Sequence, residues 1–182
     1  MHIILGGTSG LGLEVARQLR ESGKRVLVLG KTHNAQEHGE GFPLDVYYPE
    51  QVEAAPARIE QMLGGDAIGH RMAQQQIRST LTVIGSTSSI KARGDEAVYV
   101  ATKHAQAGLA RSLALQADEQ HLPIRVALFL PGAMKTPFWR GHQPDDYAFF
   151  NDPAKVAEHI LTAVNTQYQT FLEWPLPKGT LV

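Results

Sequence analysis

A phenol and an ammonium group are spaced for acid–base chemistry at Tyr99 and Lys103, four residues apart. The surrounding segment predicts a helix, so both side chains are expected on one helical face. A tyrosine with an unperturbed pKa of about 10 is a poor acid–base group at neutral pH, and a neighbouring cation favours its ionised form. Ser86 follows a predicted strand and offers a hydroxyl to a substrate carbonyl, although a serine at this place is also an ordinary strand-end residue. Together these residue types indicate a proton-transfer site.

A glycine-rich loop near the amino terminus joins a predicted strand to a predicted helix. Gly6, Gly10 and Gly12 follow the spacing Gly-x3-Gly-x-Gly. Glycine permits positive φ and lets a backbone approach a ligand without a Cβ in the way. The start of the helix presents unpaired N–H groups and the positive end of its dipole to a phosphate. The loop therefore predicts a nucleotide-phosphate site, with a simple tight turn as the alternative.

The composition is that of a globular chain with little general attraction to nucleic acid or membranes. The 182 residues are 43% hydrophobic and 19% charged, and 17 Lys and Arg nearly balance 18 Asp and Glu. The absence of cysteine excludes a disulfide framework, a thiolate metal site and a Cys nucleophile. None of the eight histidines falls in a His-Glu-x2-His pattern, so no metal is expected. The sequence predicts a soluble cytoplasmic protein with no nucleic-acid or membrane partner.

Short apolar runs alternate with helix-period segments, which is typical of a parallel sheet covered by helices. The predicted strands are 2–6, 25–30, 42–45, 81–85, 124–130 and 169–174. The predicted helices are 10–22, 48–63, 67–78, 96–119 and 152–165. Gly23 is placed to end the first helix, and the stretch 136–151 reads as an irregular loop or short lid. The prediction is a single α/β domain over residues 1–182.

In this order along the chain, the motifs resemble those of the short-chain dehydrogenase/reductase family. The resemblance implies a Rossmann-like, doubly wound parallel sheet in three layers and a nicotinamide cofactor. It implies that Ser86, Tyr99 and Lys103 are catalytic, with Tyr99 as general acid and base and Lys103 also on the nicotinamide ribose. The cofactor loop would be Gly6, Thr8, Ser9, Gly10, Leu11 and Gly12. Asp45 and Val46 would contact the adenine, and Pro131, Gly132 and Thr136 form the Pro-Gly-x3-Thr motif whose threonine would bind the nicotinamide carboxamide.

The end of the second strand bears on the choice of cofactor. An acidic residue there usually holds a ribose 2′-hydroxyl, whereas a 2′-phosphate favours a cation. The sequence offers Lys31 and Thr32 and has no carboxylate at Leu29 or Gly30. It therefore favours NADP over NAD, with an ordinary solvated lysine as the alternative.

The sequence departs from the family in its middle. The stretch between Asp45 and Ser86 is short, the Asn-Asn-Ala-Gly motif is missing, and no asparagine occurs between Asn34 and Asn151. Residues 65–70 are a candidate remnant of the missing strand. Two functions follow. The first is an NADP-dependent oxidoreductase that interconverts a carbonyl and an alcohol. The second is an NADP-binding sensor or scaffold with impaired catalysis. A homodimer through the alanine-rich helix 96–119 is also expected.

Overall fold

The computed structural model describes residues 2–63, 79–166 and 168–182. Its strands are β1 (His2–Leu5), β2 (Val26–Gly30), β3 (Gly41–Pro43), β4 (Ser79–Ile84), β5 (Ile124–Pro131) and β6 (Phe171–Leu176). Its α-helices are α1 (Gly10–Glu21), α2 (Ala35–His38), α3 (Pro49–Leu63), α4 (Ala97–Glu119) and α5 (Pro153–Thr166). Short 3-10 helices cover Thr87–Ser89, Pro137–Trp139 and Tyr147–Phe149. None of the described helices is long and apolar enough to cross a membrane.

One compact unit comprises Met1–Ile68, Thr136–Gln143 and Pro153–Glu158. In it β1, β2 and β3 form a parallel sheet in that order. All five residues of β2 are buried, as expected for a parallel strand that is covered on both faces. Leu27 and Leu29 pack with Phe42, Leu44, Ala55 and Ile59 in one core cluster. The apolar run of β2 is therefore the centre of this unit.

The second unit comprises Gly69–Lys135, Pro144–Asp152 and His159–Val182. Here β4, β5 and β6 form a parallel sheet with β5 in the middle. The core on one side of β5 joins small helix residues to large strand residues: Ala107, Ala110 and Ala114 of α4 pack with Val126, Leu128 and Leu130. Small side chains let the helix approach the sheet closely, and this fixes α4, the helix that carries Tyr99 and Lys103.

The structure confirms the parallel-sheet, Rossmann-like α/β class, and the described strands form two three-stranded parallel sheets. Within the described residues β1 pairs only with β2, and β4 pairs only with β5. The predicted helix 67–78 and the candidate strand remnant 65–70 lie outside the described residues. The single domain over 1–182 stays a prediction.

Most predicted elements occur with ends shifted by one or two residues, and one helix was missed. The four-residue helix α2 has too few residues to show an apolar period, but Asn34 caps it by accepting a hydrogen bond from the Gln36 N–H at 2.9 Å. Gly23 follows the end of α1 with a φ of 76°, as predicted. Strand β6 begins two residues later than predicted, at Phe171, and β3 ends at Pro43, two residues earlier than predicted.

Candidate active site

The glycine loop has the backbone conformation that its sequence predicts. Gly6 and Gly10 have φ of 78° and 53°, in the left-handed region that favours glycine. The Gly6 N–H donates to the carbonyl of Leu29 at 2.7 Å, which ties the loop to the end of β2. A Cβ on Gly12 would lie 2.3 Å from the Gly6 carbonyl oxygen, so only glycine fits there. Glycine is therefore favoured at two of these positions by a positive φ and at the third by a close backbone contact.

The start of α1 is open to a ligand. Ser9 is the N-cap residue in extended conformation, but its hydroxyl makes no capping hydrogen bond. The first N–H groups of a helix have no partners within the helix, and the helix dipole favours an anion at this end. The Leu11 side chain is buried, so this residue offers a ligand only its backbone. These features fit the pyrophosphate of a dinucleotide.

Thr136 lies beside the glycine loop in the same unit. A Cβ on Gly10 would contact the Thr136 side chain at 3.6 Å. Thr136 also precedes the 3-10 helix Pro137–Trp139, whose Trp139 N–H donates to the Thr136 carbonyl at 3.2 Å. The structure therefore brings together two motifs that lie far apart in the sequence, the glycine loop and the threonine of the Pro-Gly-x3-Thr motif.

The residues expected to contact the adenosine ribose also lie in this unit. The Lys31 Nζ is 3.1 Å from Oδ2 of Asp45, and this hydrogen bond raises the pKa of Lys31. The Thr32 hydroxyl lies 3.4 Å from that of Thr8. The backbone N–H of Tyr47 donates to Asp45 at 3.1 Å and, together with Lys31, lowers the pKa of that carboxyl group. Val46 is largely exposed. The sequence did not predict the contact between Lys31 and Asp45.

Ser86 lies in the second unit, directly after β4. Its side chain is buried, and its hydroxyl accepts a hydrogen bond from the Ser88 N–H at 3.1 Å. It is the N-cap residue of the 3-10 helix Thr87–Ser89, and that helix packs against α4. The Ser86 hydroxyl keeps its proton for donation, because in this contact it is the acceptor.

Tyr99 and Lys103 share one face of α4. The Lys103 Nζ lies 5.7 Å from the centre of the Tyr99 ring and donates to Oε1 of Gln106 at 3.0 Å. Burial lowers the pKa of Lys103, because desolvation disfavours the ammonium form. Tyr99 itself is 45% exposed, so a substrate can reach it from solvent. The arrangement supplies a half-buried cation next to an accessible phenol.

Pro131 and Gly132 mark the end of β5. The Gly132 N–H donates to the Leu176 carbonyl at 2.7 Å, and a Cβ on Gly132 would lie 2.5 Å from the backbone nitrogen of Lys178. The motif therefore needs glycine at this position for close packing against the segment that follows β6.

Two residues near the candidate site were not predicted from the sequence. Gln106 lies one helical turn after Lys103, and the i,i+3 spacing was the available signal. Asn151 is fully buried and hydrogen-bonded on both sides of its amide, but its partners are remote in sequence, so no local pattern marked it. Within the described residues no cluster of three or more potential metal ligands occurs.

Comparisons with known proteins agree with the sequence motifs. The family model for short chain dehydrogenases matches residues 67–146. Carbonyl reductase family member 4 of Danio rerio is 24% identical over 222 aligned positions, which cover 93% of this chain and 93% of the relative. That alignment is longer than the chain itself, so parts of the relative have no counterpart here. The 1-deoxy-11-beta-hydroxypentalenate dehydrogenase of Streptomyces avermitilis is 34% identical over 97 residues, which are 53% of this chain and 32% of the relative.

Solved structures show the same fold. A variant of actinorhodin polyketide ketoreductase with NADPH matches with a TM-score of 0.74 and 20% identity, over 98% of this chain and 96% of that chain. 4-hydroxyisoleucine dehydrogenase complexed with NADH matches with a TM-score of 0.79 and 16% identity, over 98% and 97% of the two chains. The chain is thus similar in sequence to short chain dehydrogenases over residues 67–146, and it shares the fold of these solved ketoreductase and dehydrogenase structures.

Proposed function

We propose that the protein is an NADP-dependent oxidoreductase that interconverts a carbonyl and an alcohol on a small-molecule substrate. The observation that carries the proposal is the pairing of a half-buried Lys103 with an accessible Tyr99 on one face of α4. The match of the short chain dehydrogenase model to residues 67–146 supports it, and so does the similarity to a carbonyl reductase. A cytoplasmic location stays a prediction.

The residues of the glycine loop fit a dinucleotide. The open start of α1 would bind the pyrophosphate through its N–H groups, and the glycines would let the backbone approach it. Asp45 and Val46 are proposed at the adenine, and the Pro131-Gly132 turn with Thr136 at the nicotinamide. When bound, the nicotinamide supplies hydride transfer to or from the substrate carbon.

The proposed role of the catalytic residues is proton transfer at the substrate oxygen. Tyr99 gives its hydroxyl proton to the oxygen of the forming alcohol and takes it back in oxidation. Lys103 stabilises the tyrosinate that remains, because an ammonium nearby favours the anion. Ser86 donates a hydrogen bond to the carbonyl oxygen and polarises it. The Lys103 ammonium donates one of its three N–H groups to Gln106 in this structure, which leaves two for other partners.

The choice of NADP over NAD rests on Lys31 and Thr32 after β2. Lys31 is 69% exposed and carries a charge that a 2′-phosphate would share with Asp45. The Thr32 hydroxyl is a second donor for the phosphate. No carboxylate stands at Leu29 or Gly30 to accept from a ribose 2′-hydroxyl.

The test of the reaction is NADPH consumption on a panel of ketones, aldehydes and quinones. Tyr99→Phe removes the proton donor and should lower kcat by about 100-fold or more. Tyr168→Phe is the matched control, because Tyr168 is also exposed but lies outside the proposed machinery. Equal rates for the wild type and Tyr99→Phe would reject the assignment.

The short stretch between Asp45 and Ser86 favours a second candidate function. In this candidate the protein binds NADP without turnover and acts as a redox-state sensor or scaffold. The family's motif asparagines are also absent between Asn34 and Asn151. NADPH binding in the absence of turnover on the whole panel would select this candidate over the first.

We further propose a homodimer through α4. The helix exposes Val98, Leu109 and Leu115, and its small residues Ala101 and Ala105 are also exposed. Light scattering at high protein concentration should give twice the 19.9 kDa of one chain. A monomer at every concentration would contradict it.

A further inference from the structure

Asn151 is a buried polar residue that none of the proposed catalytic steps uses. Its side chain is completely buried, and both ends of its amide are hydrogen-bonded. The Nδ2 donates to the Pro177 carbonyl at 2.9 Å, and the Oδ1 accepts from the Leu181 N–H at 3.0 Å. Because one partner must accept and the other must donate, an amide satisfies both and a carboxylate or an alkyl group does not.

The backbone of the same residue holds the loop that follows β5. The Asn151 N–H donates to the Ala133 carbonyl at 3.0 Å, and its carbonyl accepts from the Lys135 N–H at 2.9 Å. These two contacts form a β-bridge between Met134 and Asn151. The bridge therefore holds the middle of the 131–136 loop, between the Pro-Gly turn and Thr136.

Segment 177–181 also contacts the 131–136 loop. Gly132 packs against the backbone of Lys178, and the Asp152 N–H donates to the Leu181 carbonyl at 2.7 Å. The Lys178 ammonium forms an ion pair with Asp146. The 131–136 loop is therefore held in two ways. It forms a bridge with Asn151, and it contacts segment 177–181, which is itself hydrogen-bonded to the Asn151 amide.

We propose that Asn151 is a positioning residue. Its amide holds segment 177–181 by hydrogen bonds and so keeps the 131–136 loop in place. In this way it sets the affinity of the protein for the nicotinamide half of the cofactor. The inference rests on the proposed function, because that function assigns the nicotinamide to this loop. It adds a residue outside the family's motifs and explains why a fully buried amide stands there. Loss of the amide should therefore affect the two halves of the cofactor unequally.

The experiment compares binding of NADPH with binding of 2′,5′-ADP, which contains the adenosine half and lacks the nicotinamide. Asn151→Leu should weaken NADPH binding about tenfold, because it leaves two polar groups without their partner, and should change 2′,5′-ADP binding less than about twofold. Val126→Ala is the control, since it opens a cavity in the core of the second unit without touching the loop. It should lower the melting temperature and leave the ratio of the two dissociation constants unchanged.

A second variant keeps the test decisive if Asn151→Leu does not fold. Lys178→Ala removes the ion pair with Asp146 and the contact of the ammonium with the Phe150 ring, and it should weaken NADPH binding about twofold without affecting 2′,5′-ADP binding. An unchanged ratio in the folded variants would overturn the inference while leaving the proposed function intact. If the wild type binds neither NADPH nor NADH, the proposed function itself fails.

Discussion

The Lys31 ammonium is held 3.1 Å from the Asp45 carboxylate, at the place where the ribose of the cofactor is proposed to lie. The cation that favours a 2′-phosphate therefore has a counter-ion before the cofactor arrives. Asp45 is only 13% exposed, whereas Lys31 is 69% exposed, so the lysine is the more solvated partner. The carboxylate should reduce the preference for NADP that Lys31 provides.

Asp45→Asn should raise the preference for NADPH over NADH about two- to fivefold, because it frees Lys31 and removes the repulsion between a carboxylate and a phosphate. NADPH and NADH share the adenine, so any adenine contact of Asp45 cancels in the ratio. Lys31→Ala should lower the ratio, and both effects should shrink as salt rises. Fluorescence titration of both reduced cofactors gives the ratio. A ratio that falls in Asp45→Asn would contradict the assigned role.

Gly12→Ala should lower the free energy of unfolding by about 1–3 kcal/mol, because the new Cβ would stand against the Gly6 carbonyl, which cannot move without the loop. Binding of NADPH should weaken as well. Gly108→Ala in α4 is the matched control, since its Cβ would meet nothing within 4 Å. That variant should gain about 0.5–1 kcal/mol from the better helix propensity of alanine. Urea denaturation measures both values, and equal effects would refute the close approach at Gly12.

Lys103→Met should stabilise the protein at pH 7 by a few tenths to about 1 kcal/mol, a value limited by the remaining solvation of the ammonium. Burial lowers the pKa of Lys103 below its ordinary 10.5, so the folded state penalises the charged form. Between the two pKa values the unfolded chain binds more protons, and the stability of the wild type rises with pH. The advantage of the variant should therefore shrink as the pH approaches 10.5. Denaturation at several pH values tests this, with exposed Lys91→Met as the control; a constant difference would contradict it.

Glu173→Gln should cost about 1 kcal/mol or less at pH 7, because it removes the negative charge and one of the two acceptor oxygens to which Arg111 of α4 donates, at 3.0 and 2.7 Å. Arg111 lowers the pKa of Glu173 below its ordinary 4.5. The contribution is therefore fully present above pH 4.5 and is lost as the pH falls through the lower pKa of the folded state. Acid unfolding should show the wild type and Glu173→Gln converging at low pH. Glu21→Gln, which breaks an exposed pair with Arg17, should have a smaller effect. An equal loss in the two variants would count against the Arg111 contact.

The candidate site was predictable from sequence where its signals are local. The positive φ of Gly6 and Gly10 follows from residue type and spacing, and the shared face of Tyr99 and Lys103 follows from the period of the helix. The strands β2 and β5 were visible as continuous apolar runs, because parallel strands are buried on both faces.

Other features depend on contacts between distant parts of the chain. No local pattern links Lys31 to Asp45 or Asn151 to Leu181, since a hydrogen bond between remote residues is decided only when the elements pack. The pairing of strands is likewise decided by the packing of distant segments: among the described strands, β1 pairs with β2 and β4 pairs with β5. Strand type is set by the side chains along one segment, but sheet continuity needs a partner at every edge, and that depends on which segments meet. The sequence thus determined the order of the motifs, their resemblance to those of short chain dehydrogenases and the chemistry they offer. The tertiary structure alone decided that Lys31 has a counter-ion and that the Asn151 amide is buried, because both depend on contacts between residues remote in sequence.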